Sequence, residues 1–525
     1  MHSFDSLDSL CHSFFPPDSP GAAVGILKGA LRYAKGFGLA NLAERIPFTP
    51  QTPFRACSVS KQFVCLLVLQ LEREGKINLD AHPSTYVAAL HAFPASLTVR
   101  HLCQNRSGLL DYWCVAMLTG AKAESVFTLA DGAALIQSLH APMYEAGSQY
   151  CYSNGNWRIL EWIIESVTER KLPDLLAERM FALTGMKDSG WGVDTSQVLP
   201  GNARGYRRRS NAQDGNIWEE EVTRACWSGD AALITTLDDF LNWERAMLAG
   251  TLPCSERLRE AMPHPDRSRG SYAYGINAWE KDGRWMLWHS GALRGWRMVH
   301  MRFPQERASV VVMMNRTENP MPCALKILQC AELKTTWDEV SESPCTGGEN
   351  ETFDRVLAGN YFSEKLGLLA EMSSTSGKIT MDLGAEAAPM LRTGERTMAN
   401  ASGFYHVEHR HNVLAIHARQ FGWRDLFLRI ATGEGRRLLA GRQFHNALLS
   451  ATMIFSADGT ALTINGPHGE SDRHAVRSLG DGFAAFDCTR ALDETPPGRF
   501  TIRVRDDGAR IDVGCFMARD LIFNR

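Results

Sequence analysis

Residues 55–75 read RACSVSKQFVCLLVLQLEREG. Apolar residues recur at Phe63, Leu66, Leu67 and Leu71, the spacing of one face of a helix. The stretch closes on Glu72-Arg73-Glu74 and then Gly75, a charged last turn followed by a residue suited to a left-handed stop. A strong helix is therefore predicted over 60–75. Ser58 and Lys61 open it, and a Ser-x-x-Lys spacing puts the two side chains on one face, one turn apart. The positive end of a helix stabilises a developing alkoxide, and its free amides can face an oxyanion. A buried lysine loses its charge more easily, so it can accept a serine proton near neutral pH. Ser58 is the candidate nucleophile and Lys61 its base. The chain holds one Ser-x-x-Lys match, and that match lies at a helix start.

On either side of this helix the pattern is mixed. Ala22–Leu27 is an apolar run stopped by Lys28-Gly29, and 31–39 alternates toward a second strand. Helical spacing recurs over 133–140, 157–168 and 172–183. Residues 285–289, 296–303 and 309–314 read as consecutive strands, and 321–333 as a closing helix. Strands at both ends with helices between predict one α/β unit whose terminal segments share a sheet.

Near residue 336 the composition changes. Residues 338–350 (DEVSESPCTGGEN) are polar and contain Pro344, Gly347 and Gly348, which reads as a linker. Beyond it, short alternating runs are separated by Gly and Asp-Gly signals, the mark of antiparallel β structure. A weak repeat runs through this tail. Residues 357–362 (LAGNYF) match 439–444 (LAGRQF), 376–379 align with 457–460, and 426–430 precede Gly433 as 500–504 precede Gly508. Two related antiparallel β-barrels are predicted, over 350–432 and 438–525, after a first domain over 1–335.

Two further elements carry chemistry. Tyr152-Ser153-Asn154 lies between Gly147 and the helical pattern from Trp157. A tyrosine there can relay a proton between nucleophile and leaving group, while the asparagine can donate to a substrate carbonyl and hold the lysine. His289-Ser290-Gly291 ends the strand from Trp285. On an edge strand, Gly291 removes the side chain that would block a substrate backbone lying alongside. By itself the first element reads as an aromatic turn and the second as a strand end. In this order with Ser58-x-x-Lys61, they resemble the serine penicillin-recognising enzymes, a group of β-lactamases, DD-carboxypeptidases and related peptidases. The Tyr-Ser-Asn and His-Ser-Gly variants resemble the class C-like branch, and Asn105–Leu109 and Gly229–Leu233 look like its framework turns. Residues 57–63, 107–113, 291–297 and 514–519 are similar to the bacterial D-aminopeptidases, a resemblance that covers essentially the whole chain.

The resemblance implies an α+β protein: a β-lactamase-like α/β catalytic domain followed by two antiparallel β-barrels. It implies a serine aminopeptidase that removes N-terminal D-residues, chiefly D-alanine, from peptides, amides and esters through an acyl-enzyme on Ser58. Tyr152 and His289 join Ser58 and Lys61 as expected catalytic residues. Asn154 and Gly291 are expected to bind substrate. A loop of the last barrel, over 488–498, is expected to reach the active site with Asp493 at its tip, where an acid can meet the substrate's ammonium group. Glu494 beside it and Ser290 in the third motif depart from the family pattern. Carboxypeptidases and β-lactamases bind a carboxylate, which a cation serves well. His289 can be neutral at pH 7, although Arg294 and Arg297 stand nearby as alternative cations. An esterase, a β-lactamase, a DD-carboxypeptidase or a non-catalytic acylated sensor would use the same three motifs.

Composition bounds the partners. The 525 residues are 44% hydrophobic, 22% charged and 9% aromatic, ordinary globular values. With 56 basic and 59 acidic side chains, the net charge is −3. This gives no general reason to expect nucleic-acid or membrane-surface binding. The 13 cysteines form no C-x-x-C pair, so buried thiols in a reducing compartment are expected. No basic-then-apolar leader and no long apolar span is legible, so a cytoplasmic protein is expected. No cofactor or metal is called for. His406, His409, His411 and His417 are the one competing feature. Read as a strand, His409, His411 and His417 fall on one face with H-x-H spacing suited to a metal. The D-aminopeptidase resemblance and large β surfaces lead to the expectation of a homodimer.

Overall fold

The computed structural model of the chain describes residues 4–209, 217–260, 271–281, 283–330, 357–375, 378–384, 387–394, 396–400, 405–419, 421–433, 435–488 and 499–525. It divides into two compact units, Met1–Asn105 with Asn156–Ser341, and Arg106–Gly155 with Glu342–Arg525. The predicted linker 338–350 lies outside the described residues.

The first unit is built on a seven-stranded antiparallel sheet. Its strands are β1 (Ala22–Lys28), β2 (Leu31–Phe37), β3 (Ser271–Ala273), β4 (Ile276–Lys281), β5 (Arg284–Leu293), β6 (Trp296–Phe303) and β7 (Ala308–Met314), in the order β3-β4-β5-β6-β7-β1-β2. β1 pairs along its whole length with β7, Ala22 opposite Met314. The two ends of the α/β unit share a sheet, as predicted. One face is a dry layer. Val24, Ile26, Met301, Val310 and Val312 pack against Leu7, Cys11, Ile327 and Leu328 of the helices Asp5–Phe14 and Met321–Cys330.

The other face carries the chemistry. The predicted helix is present over Lys61–Arg73, preceded by a 3₁₀ turn over Cys57–Ser60 and ended by Gly75 at φ 73°. A buried polar knot holds its first turn to the sheet. Arg302 grips Glu244 at 2.9 and 2.6 Å, and Ser309 Oγ donates to the same carboxylate at 2.9 Å. Gln62 joins the knot through His300 Nε2 at 3.2 Å and through Trp243 Nε1 at 3.0 Å. A buried, mutually bonded polar network of this kind helps fix one geometry.

The tail forms two rings of the same design. Strands β8 (Gly359–Ser363), β9 (Leu368–Thr375), β10 (Lys378–Asp382), β11 (Ala388–Arg392), β12 (Thr397–Asn400), β13 (Tyr405–Arg410), β14 (Val413–Ala418) and β15 (Trp423–Arg429) follow one another round a closed barrel. The second ring uses β16 (Gln443–Asn446), β17 (Ala451–Phe455), β18 (Ala461–Gly466), β20 (His474–Gly480), β21 (Phe483–Asp487), β22 (Arg499–Arg505), β23 (Arg510–Cys515) and β24 (Ala518–Asn524). The short β19 (Gly469–Glu470) hangs from β18. Closure comes from β16 meeting β24 at His445 and Asn524, and from β17 pairing β18. Closed rings leave no exposed edge. LAGNYF and LAGRQF lead into the first strand of each ring. The third part of the repeat does not hold, because 426–430 fall on the eighth strand of one ring and 500–504 on the sixth of the other.

The histidine reading is also corrected. His406 stands opposite His417 on the outer face of β13 and β14, while His409 lies on the inner face with Val407. His411 sits in the turn between those strands at φ 53°. The tight turn resets the two-residue alternation, so the three histidines expected to share a face do not.

No helix among the described residues is long and apolar enough to cross a membrane. Ten of the twelve described cysteines are buried and all twelve are free thiols.

Candidate active site

From Phe54 to Leu71 every residue is buried except Ser58. The sequence buries the helix almost completely and leaves one hydroxyl accessible at its start. Cys57, at φ 55°, bends the chain into the turn. Ser60 Oγ donates to the Cys57 carbonyl at 2.5 Å and accepts the Leu233 N–H at 3.0 Å, tying the turn to its neighbour.

Lys61 is fully buried, and its Nζ lies 3.0 Å from Ser58 Oγ. Nζ also donates to the Asp230 carbonyl at 2.5 Å and stands 5.4 Å from the centre of the Trp157 ring. A carbonyl and a π-face hold a cation without neutralising it. The framework turn 229–233 is therefore a lysine holder. Its own geometry is fixed from the helix Gly155–Thr168. Glu161 accepts from Ser228 Oγ and, at 3.2 Å, from the Gly229 N–H. A Cβ on Gly229 would come within 2.4 Å of the Trp157 carbonyl oxygen, so only glycine fits there.

The third motif lies beside the turn that carries Ser58. On β5, residues 287–293 pair with β6, but β4 pairs only with residues 284–288. Ser290 to Leu293 thus extend past the β4 ladder among the described residues, an edge of the kind a substrate backbone requires. A Cβ on Gly291 would meet the Ala56 carbonyl oxygen at 2.5 Å and Cys57 Cβ at 2.9 Å. This glycine lets β5 approach the turn that carries Ser58.

His289 is buried. Its Nδ1 donates to the Ser290 carbonyl at 2.5 Å, so Nε2 of the neutral ring accepts the Tyr272 hydroxyl at 3.1 Å. Burial first, and then the charge of Lys61, push its pKa down to about 3. Tyr272 is a site residue that sequence reasoning missed. Of the two arginines expected as alternative cations, only Arg294 is neutralised by a carboxylate. Arg294 is 2% exposed and paired with Glu221 at 2.9 Å, while Arg297 donates to the carbonyls of Leu293 at 2.5 Å and Trp296 at 3.0 Å. Both are held by the fold of the β5–β6 hairpin and its neighbour.

The second motif belongs to the other unit. Tyr152 is half-buried in extended chain just ahead of the helix Gly155–Thr168. Asn154 is buried and bonded through its backbone N–H and its Nδ2 to Asp111. Tyr150 donates its N–H to the Phe421 carbonyl at 3.0 Å, and Cys151 Sγ contacts the Phe516 carbonyl at 3.5 Å. Both barrels therefore grip the strand that carries Tyr152. Asp493 and Glu494 lie outside the described residues.

The beta-lactamase family model matches residues 16–329, and a model described as D-aminopeptidase, domain B, matches 351–524. The chain belongs to the beta-lactamase family, in the branch that carries the D-aminopeptidase tail. It is 30% identical over 518 residues to the D-aminopeptidase of Brucella anthropi, covering 96% of this chain and 95% of that one. Against the D-aminopeptidase of Gluconobacter oxydans it is 29% identical over 531 residues, covering 96% of each. The solved D-amino acid amidase of Ochrobactrum anthropi SV3, complexed with D-phenylalanine, shares the fold with a TM-score of 0.53 at 20% identity. That match covers 63% of this chain and 99% of the amidase.

Proposed function

We propose that the chain is a D-stereospecific serine aminopeptidase that releases N-terminal D-residues, D-alanine foremost, from small peptides, amides and esters. The observation that carries this reading is a buried Lys61 amine 3.0 Å from the one accessible hydroxyl of its helix, in a chain similar to D-aminopeptidases over nearly all its length. The neutral, buried His289 and the pairing of Arg294 with Glu221 favour it over a carboxypeptidase, because they weaken the site's appeal to a substrate carboxylate.

In this scheme Lys61 first gives up its extra proton to solvent, and the resulting amine takes the Ser58 proton as Oγ attacks the scissile carbonyl. The amides of Ser58 and of the strand after His289 stabilise the oxyanion. Asn154 orients substrate and lysine. Tyr152 hands a proton to the leaving amine, and water then hydrolyses the ester on Ser58. Gly291 admits the substrate backbone, and Asp493 takes the α-ammonium group. No step uses a cofactor. The scheme assigns catalysis to residues 1–335 and places barrels over 350–432 and 438–525. The free, buried thiols support a reducing cytoplasmic setting, and the broad β surfaces support a homodimer.

Matched D-alanine and L-alanine p-nitroanilides test the reading, with a cephalosporin and a short ester as competitors. The D-amide is expected to be cleaved at the highest rate. Ser58→Ala is expected to cost at least about 10³-fold in turnover and to abolish the mass adduct left by a slow acylating substrate. A fully active Ser58→Ala protein would overturn the scheme.

A further inference from the structure

Asp111 has no part in the scheme above. It is completely buried, and its carboxylate serves two neighbours. Oδ1 accepts the Cys114 N–H at 2.9 Å and so caps the helix Tyr112–Ala116. Oδ2 accepts twice from Asn154, from the backbone N–H at 2.5 Å and from Nδ2 at 3.0 Å. The Asp111 N–H in turn donates to the Met517 carbonyl at 3.0 Å, in the last hairpin turn of the second barrel. Burial pushes the Asp111 carboxyl above its ordinary range, and the hydrogen bonds from Asn154 and Cys114 oppose that push. Three N–H groups converge on its two oxygens, an arrangement that suits the ionised form.

A carboxylate accepts hydrogen bonds and donates none. The Asn154 amide must therefore turn its nitrogen toward Asp111. Its Oδ1 and second Nδ2 hydrogen face away, and among the described residues that side chain bonds only to Asp111.

We propose that Asp111 is a positioning residue. It fixes which side of the Asn154 amide accepts and which donates, leaving Oδ1 for an ammonium group and one N–H for a substrate carbonyl. This rests on the role given to Asn154 above. The Met517 carbonyl holds Asp111 in turn, so the second barrel takes part in setting the motif.

Asp111→Asn is the discriminating variant. Asparagine caps a helix about as well as aspartate, so a purely structural role survives the change. Its amide also carries donors, however, and it no longer dictates how Asn154 is turned. Turnover of a D-alanine amide, normalised to active sites titrated by a slow acylating substrate, is expected to fall on the order of 10²-fold, the usual cost of a small misplacement. KM and the thermal midpoint are expected to move little. Asp111→Ser, which keeps a capping oxygen but does not reach Asn154, is expected to show the same loss. Unchanged turnover per titrated site in Asp111→Asn overturns the proposal, as does a loss that only tracks the folded fraction. An active Ser58→Ala protein would instead sink the function itself. An inactive Ser58→Ala beside a fully active Asp111→Asn sinks this inference alone.

Discussion

A neutral histidine at the third motif has a consequence for stability as well as recognition. The unfolded chain takes a proton on this imidazole near 6.5, whereas the folded chain holds it off until about 3. Between those values the unfolded state binds the extra proton, so stability falls as pH drops through that window. Buried His300 is shifted in the same direction. His289→Gln is expected to remove about one proton's slope, about 1.4 kcal/mol per pH unit, measured by urea unfolding between pH 6 and pH 4. An unchanged slope would count against a neutral His289. Ser58 and Lys61 were legible in sequence because a three-residue spacing at a helix start enforces their meeting. Tyr272 and Asp230 were not. Tyr272 reaches His289 from another strand of the sheet, and Asp230 acts through a backbone carbonyl that any residue type could supply.

Among elements, the approach of β5 to the nucleophile turn is set by one missing side chain. Gly291→Ala would drive a methyl group into the Ala56 carbonyl. It is expected to destabilise the protein by about 1–3 kcal/mol, the usual range for overpacking, and to lower acylation more than binding. Calorimetry with kcat and KM separates the two. Strands and helices were legible wherever an apolar run or a 3.6-residue period continued unbroken, as in β1, β7 and the helix Lys61–Arg73. The reading slipped where a turn reset the phase, as at His411, and where a short likeness was matched without strand count, as between 426–430 and 500–504. Periodicity describes a run, and a turn's backbone decides how the next run is phased.

At the scale of the whole molecule, the tail is structural support for the second motif. Phe516 packs edge-on against Phe421 with ring centres 5.0 Å apart, and Phe421 lies 5.6 Å from Tyr150. Phe516→Ala is expected to cost about 3–5 kcal/mol, as for other buried phenylalanines, and to reduce turnover with it. A thermal scan paired with kcat checks both. A variant with a normal midpoint and normal turnover would remove the tail from this role. The coarse order, a mixed α/β unit before a β-rich tail, was legible from the change in composition and strand patterning near residue 336 together with the family resemblance. The grouping of 106–155 with the barrels was not, because it depends on contacts between segments far apart in the chain, such as Asp111 with Met517 and Thr119 with His468. That grouping also sets a schedule for biosynthesis. About 365 residues separate Tyr152 from Met517, which at about 5–20 residues per second is roughly 20–70 s of translation. A nascent chain paused before the last hairpin already has the Ser58 turn and its helix complete but lacks the carbonyls of Phe516 and Met517 that contact Cys151 and Asp111. On the proposed mechanism, peptide-cleaving capacity is expected only once the polypeptide is almost finished.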